Sequence, residues 1–388
     1  MKKRIGVVTS TRADYGILKN TIQRIHADEE LELCLIVTGT HLRKEFGYTI
    51  EEIYEDGFPV TETISIIHEE DFSESQIAGN AVNSFQYAFK KLHLDFLILL
   101  GDRYEILAIA MAAMFEMVPI AHISGGEVTE GAIDDAVRHC ITKLSYLHFP
   151  ACEEYRKRII QLGEAPERVF NYGDVGVENL YKEKYMTKLE LENSLGIELK
   201  KNYISVTYHP VTLEKEAAEE QIRNVLEATK RFPDLMFVFT KANIDGGNII
   251  INQILEEFIK NSKNCVLFDS LGIKRYLSLL KYSNGVLGNS SSGIVEAPSL
   301  GIPTINIGNR QKGRLQADSI INCSNSIEDI EDAIRKSQKE DFLYMCKNVK
   351  NPYGSGETSS LIVDKIKELL KEQRIDLKKK FYDVEFGY

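Results

Sequence analysis

The sequence predicts an α/β chain built from two doubly wound units, and three observations carry that prediction. Short runs that are apolar almost throughout alternate with longer stretches whose apolar residues recur at helical spacing. The alternation lapses once, in a charged stretch over 181–201 where Lys and Glu interleave, and then restarts. The length of 388 residues suits about two or three ordinary domains.

In the first half the strand-like runs are 5–9, 33–38, 60–66, 96–100, 119–123 and 169–172. Strands that are apolar on both sides belong in a parallel sheet covered by helices on each face. The first connection shows the helical period, with Ile17, Leu18, Ile22 and Ile25 on one side. The second half repeats the pattern with runs at 203–208, 235–240, 265–268, 285–288, 304–307 and 319–323. Residues 357–373 then read as one amphipathic helix carrying Leu361, Ile362, Ile366, Leu369 and Leu370. A polar tail follows, with three lysines at 378–380 and then Phe381 and Tyr382. The expected organisation is a first Rossmann-like domain over 1–176, a second over 200–350, and a C-terminal helix and tail over 351–388.

Composition narrows the function. Lys plus Arg is 47 and Asp plus Glu is 58, a formal charge of −11, so a broad basic face for nucleic acid or anionic lipid is not expected. A small anion is still compatible, because a few local donors suffice to hold it. No apolar run approaches the roughly 20 residues that span a bilayer, and the basic N-terminus leads into a strand rather than a signal-peptide core. The chain reads as cytoplasmic. The six cysteines are scattered without a CxxC pair, and no histidine cluster has metal spacing. Neither a metal nor another cofactor is expected.

In open α/β sheets ligands bind beyond the carboxyl ends of the strands, so the loops after each run were the candidates. After the first strand, residues 9–16 offer small hydroxyls, a helix N-terminus and Arg12. That combination suits a phosphate, and equally an ordinary capping turn with Asp14 as the cap. After the very apolar run 96–100 come Gly101, Asp102, Arg103 and Glu105; a carboxylate leaving a dry strand is a candidate acid or base, or one half of a surface ion pair. Residues 122–127 bring two glycines and Glu127, with Asp134 and Asp135 beginning the next helix. Several carboxylates in one place point to proton transfer, although helix N-terminal charge accounts for one of them. In the second half His209 stands at a strand exit, followed by Pro210. Residues 288–296 run Ser290, Ser291 and Gly293 into a helix, an anion site made of hydroxyls and backbone N–H groups. Glu296 sits one turn in, placed to accept from ribose hydroxyls. The 308–314 segment has the glycine spacing of a P-loop, yet Arg314 and Leu315 occupy the positions of its Lys and Ser/Thr. No GxGxxG follows the first strand.

With these motifs in place, the chain resembles the hydrolysing UDP-N-acetylglucosamine 2-epimerases of sialic-acid and legionaminic-acid biosynthesis. The resemblance runs in order through TRADYG (11–16), GDRYE (101–105), GGEVTEGAIDDAVRH (125–139), YHPVT (208–212), GNSSSGIVEAPSLG (288–301) and INIGNRQKGR (305–314). It implies a GT-B-like fold of two Rossmann-like domains with the active site in the cleft between them. It also implies loss of the C2 proton and of UDP to give a 2-acetamidoglucal, then hydration to a free mannosamine-type sugar. Arg12, Ser290, Ser291, Gly293 and Arg310 match the family's UDP contacts, and Glu296 its ribose contact. Asp102 and Asp134 match positions the family uses as acid/base carboxylates, His209 matches the histidine facing them, and Glu127 completes the candidate catalytic set. One position departs from the family pattern: many members carry a catalytic glutamate where this chain has Ser124, which leaves Glu127 or Asp135 to share that work.

The expected partner is therefore a UDP-linked 2-acetamido sugar, with neither nucleic acid nor membrane, in a homodimer or homotetramer. UDP-N-acetylglucosamine and UDP-N,N'-diacetylbacillosamine both fit the motifs as substrates. A GT-B glycosyltransferase would need an acceptor-docking surface on the first domain that the sequence does not display. A silent nucleotide-sugar sensor would need an eroded acid/base set.

Overall fold

The computed structural model describes residues 2–68, 73–129, 133–210, 218–241, 248–354, 356–373 and 375–385. The chain divides into two compact units, one of Met1–Glu127, Ile133–Asn179 and Gly356–Tyr388, the other of Val128–Ala132 and Leu180–Ser355. No helix among the described residues is long and apolar enough to cross a membrane.

The first unit carries β1 (Lys3–Thr9), β2 (Leu31–Thr38), β3 (Val60–Ile64), β4 (Phe96–Leu100), β5 (Ile120–Ile123) and β6 (Leu147–Phe149). Among the described residues they form one parallel sheet in the order β3-β2-β1-β4-β5-β6. Both faces are buried, and the twofold side-chain alternation of a strand sorts each run between them. In β4, Phe96, Ile98 and Leu100 join one core with the helix Arg12–His26 and the C-terminal helix Thr358–Lys371. Leu97 and Leu99 join the other, with the helices Glu74–Leu92 and Tyr104–Phe115. This is why the run had no polar position at all.

The second unit repeats the plan with β7 (Tyr203–Thr207), β8 (Met236–Thr240), β9 (Cys265–Phe268), β10 (Val286–Gly288), β11 (Thr304–Ile307) and β12 (Ile320–Cys323). Their order, β12-β11-β10-β7-β8-β9, is the same doubly wound topology read from the other edge.

One predicted strand is corrected. Residues 169–172 are not a strand; Val169 makes a single parallel bridge to His148, and the sixth strand is β6. His148 interrupts the apolar pattern there, which hid it. The histidine is nevertheless fully buried, because its Nε2 lies 3.0 Å from Glu164 Oε2.

Candidate active site

A doubly wound sheet opens a crevice where the strand order reverses, beyond the carboxyl ends of the strands. In the first unit that point lies between β1 and β4, in the second between β7 and β10. The polar loops singled out in the sequence leave these four strands and the neighbouring β5 and β11.

In the first unit the organising group is Arg138, to which the sequence reading gave no role. It lies on the helix Ile133–Leu144 and is 1% exposed. Its Nη2 donates to Oδ2 of Asp102 and its Nη1 donates to the backbone carbonyl of Glu127 at 3.1 Å. The same Nη1 stands 3.8 Å from Asp135 Oδ1. One buried cation thus brings Asp102, the Glu127 backbone and Asp135 together. Asp135 also faces His139, at 3.6 Å. Asp134 begins the same helix and is half-buried. The Asp135-to-Arg138 spacing, one helical turn, was the available signal for this cluster.

The Asp102 loop is held from beneath. His122 of β5 is buried, and its Nε2 donates to the carbonyl of Gly101 at 2.8 Å, while Nδ1 accepts from Thr142 Oγ1 at 3.2 Å. Burial pushes this imidazole down to about 3, so it is neutral. Beyond it the chain turns sharply. Ser124 takes a left-handed φ of 62°, a conformation that strains any residue with a Cβ. Gly126 follows at φ 78°, where a Cβ would lie 2.4 Å from the Tyr155 carbonyl. That turn delivers Glu127, 5% exposed, to the Arg138 cluster.

The β1 loop corrects the expected cap. Thr11, not Asp14, is the N-cap of the helix Arg12–His26, and Asp14 is the reciprocal partner in a capping box. The buried Asp14 carboxylate accepts from Thr9 Oγ1 at 2.7 Å and from the N–H groups of Ser10 and Thr11, each at 2.9 Å. Ser10 Oγ also donates to Glu105 Oε1 at 2.9 Å. Arg12 is partly exposed and its Nη2 pairs with Glu52 Oε1 at 2.8 Å.

In the second unit Asn289 joins the two loops at the reversal point. Its Oδ1 accepts from the His209 N–H and its Nδ2 donates to the His209 carbonyl, both at 2.7 Å. Its own carbonyl accepts from Arg310 Nη1 at 3.0 Å and Gln311 Nε2 at 2.8 Å. The structure therefore brings His209 and Arg310 to one place, and burial together with the Arg310 charge pushes the histidine down to about 3. Ser290 caps the short helix Ser291–Val295, accepting from the Ser292 N–H at 3.4 Å. Gly288 just before it has φ 134°, and a Cβ there would meet the Thr207 carbonyl at 2.0 Å. Gly293 packs on Thr304, whose Oγ1 donates to its carbonyl at 2.6 Å. Glu296 closes this helix, and its charge helps burial raise the Tyr276 hydroxyl.

Chemically, the first unit offers several carboxylates around one buried guanidinium. The second offers a neutral histidine, an arginine and a hydroxyl-capped helix start.

The family profile described as UDP-N-acetylglucosamine 2-epimerase matches residues 23–367. A Campylobacter jejuni protein, "GDP/UDP-N,N'-diacetylbacillosamine 2-epimerase (hydrolyzing)", is 40% identical over 88% of this chain and 89% of its own. An Escherichia coli protein, "Polysialic acid biosynthesis protein P7", is 39% identical over 98% of both. A crystal structure of the Neisseria meningitidis UDP-GlcNAc 2-epimerase bound to UDP-GlcNAc has the same fold, with a TM-score of 0.82 at 19% identity, covering 94% of this chain and 100% of that one.

Proposed function

The chain belongs to the UDP-N-acetylglucosamine 2-epimerase family, and from that premise we propose that it is a hydrolysing 2-epimerase of a UDP-linked 2-acetamido sugar. The observation that carries the reading is the Arg138 cluster, which gathers Asp102, Asp135 and the Glu127 backbone beside the reversal point of the first sheet.

In this reading a carboxylate takes the C2 proton. The electrons of the C2–H bond form a C1=C2 double bond, and the C1–O bond breaks with its pair leaving on UDP. Water then adds across the resulting glycal, its oxygen to C1 and a proton to C2 on the opposite face. The product is the free mannosamine-type sugar. The C2 proton is barely acidic, so stabilising the departing diphosphate carries much of the barrier. Arg12, Arg310, Ser290, Ser291 and the Gly293 backbone serve that purpose, and Glu296 accepts from the ribose. Asp102, Glu127 and Asp134 supply the acid and base functions, with His209 as their neutral partner. A neutral histidine can donate a hydrogen bond without competing with the arginines for the leaving group.

UDP-N-acetylglucosamine is the reading for the substrate, giving N-acetylmannosamine for a sialic-type acid; the 98% coverage by the polysialic acid biosynthesis relative supports it. The similarity to the C. jejuni enzyme favours a second reading, UDP-N,N'-diacetylbacillosamine, for legionaminic acid. Initial rates of UDP release from each sugar nucleotide decide between them. A preference of at least about tenfold, roughly 1.4 kcal/mol, assigns the substrate, and equal rates overturn any single-substrate label.

The same reading makes the enzyme a homodimer or homotetramer through first-unit helices. The helices Glu74–Leu92 and Tyr104–Phe115 support it, because Phe115 is 63% exposed and the adjoining Met117 74%. Light scattering on the eluting protein reads the assembly mass directly, and a monomer contradicts this.

A further inference from the structure

The segment after β2 packs against the loop that carries Arg12, and the function proposed above gives it no part. Gly39 takes a left-handed φ of 60°, and a Cβ there would lie 2.6 Å from the Ser10 carbonyl. That carbonyl accepts from the Thr40 N–H at 2.9 Å and from Thr40 Oγ1 at 3.2 Å. His41 is fully buried, with Nε2 2.9 Å from Thr9 Oγ1 and Nδ1 2.7 Å from Thr49 Oγ1. Thr9 gives its proton to Asp14 Oδ1, so the imidazole donates through Nε2 and accepts through Nδ1. Further along, Tyr15 Oη and Lys19 Nζ both donate to Asp56, each at 2.6 Å.

This arrangement decides what the loop offers an anion. The N–H groups of Ser10 and Thr11, which an oxyanion seeks at a helix start, are taken by the Asp14 carboxylate at 2.9 Å each. The backbone is pinned from beneath by Thr40 and His41, so it does not turn those donors outward. The main attraction left to a phosphate is the guanidinium of Arg12, the one cation in residues 9–16. Its Nη2 is paired at 2.8 Å with Oε1 of Glu52, from the short helix Ile50–Glu55.

An anion arriving at Arg12 either displaces this carboxylate or sits beside it and meets a like charge, and both weaken binding. The two side chains are 34% and 37% exposed. Water therefore screens the pair, which is weak enough to open. We propose that Glu52 is an internal competitor for Arg12 that lowers the affinity of the site for the nucleoside diphosphate. The inference rests on the assignment of Arg12 to the diphosphate made above.

Calorimetric titration of the full chain with UDP tests it in four proteins: wild type, Glu52→Gln, Glu51→Gln and Arg12→Met. Glutamine at 52 keeps a carbonyl oxygen for Nη2 and removes only the charge. Glu52→Gln is expected to bind UDP about two- to fivefold more tightly, the range of an exposed ion pair, and this gain is expected to shrink at about 0.5 M salt. Glu51→Gln removes the same charge one residue away and is expected to stay within about 1.5-fold of wild type. Arg12→Met is expected to weaken UDP at least about tenfold, as loss of a charge-assisted hydrogen bond implies. Matching urea midpoints show that the variants are folded. Arg12→Met with wild-type affinity overturns the assignment of Arg12, and the proposal with it. Weakened binding in Arg12→Met, together with unchanged or weaker binding in Glu52→Gln, overturns the competition alone. An equal gain in Glu51→Gln does the same, since the effect then belongs to net charge and not to the pair.

Discussion

Replacing Arg138 with methionine keeps the length of the side chain and removes its charge and donors. The guanidinium is 1% exposed and bonds both Asp102 and the Glu127 carbonyl, so the variant leaves that carbonyl short of a donor and the carboxylate short of its cation. Breaking a buried pair costs about 3–5 kcal/mol; Asp102 is partly exposed and regains water, which favours the lower end, about 3 kcal/mol. At about 2–4 °C per kcal/mol for a unit of this size, the melting temperature falls by roughly 6–12 °C. A displacement of the Asp102 and Glu127 loops by about 1 Å lowers kcat/KM for UDP release by about a hundredfold. Arg138→Lys does not restore the rate, because one ammonium cannot reproduce the two-nitrogen fork. Calorimetry and a continuous UDP-release assay on both variants suffice. Arg138→Met with kcat/KM within about threefold of wild type would refute this role of Arg138.

Further outcomes follow from single positions. Gly288→Ala places a methyl 2.0 Å from the Thr207 carbonyl and destabilises the second unit by at least about 2 kcal/mol, read by urea denaturation. Ser124→Val costs about 1–2 kcal/mol because a branched side chain resists the left-handed turn, while Ser124→Gly stays within about 0.5 kcal/mol of wild type; the same denaturation series compares them. His122 is held down to about 3 against an ordinary 6.5 by burial, so the unfolded chain takes up a proton that the folded chain refuses. Its contribution is fully present above about pH 6.5 and is lost as the pH falls toward 3, at up to about 1.4 kcal/mol per unit. Denaturant unfolding at pH 7, 6 and 5 is expected to show a shallower slope in His122→Asn than in wild type, the remainder coming from His209 and the other buried histidines.

Most of the sheet was legible because a doubly wound sheet buries both faces of its strands, and a run such as 96–100 has no other use. β6 was not, since His148 breaks its run and is tolerated inside only by the Glu164 partner from a distant loop. That hydrogen bond is a tertiary fact: burial would raise Glu164, but the His148 contact and the charges of Lys143 and Lys379 hold it at about 2, while burial lowers His148. The polar loops at strand ends were legible in the same way, by position. What holds them was not. In the sequence Arg138 is one charge among several in 134–139, and Asn289 stands between a glycine and three serines. Each acts on groups that the fold brings near, from as far as 36 residues away for Arg138 and Asp102 and 80 for Asn289 and His209. The capping turn at Thr11 was misread by one hydrogen bond, because Thr11 and Asp14 are both good caps and only geometry ranks them.

The central claim is that a carboxylate set in this chain removes the C2 proton of a UDP-linked 2-acetamido sugar and water replaces UDP. Proton NMR of the protein with UDP-N-acetylglucosamine in D2O, repeated with the diacetamido sugar nucleotide, observes both events in one sample. The account predicts released UDP together with a free mannosamine-type sugar carrying deuterium at C2. A released sugar that keeps its C2 proton, or both substrates left intact, contradicts it.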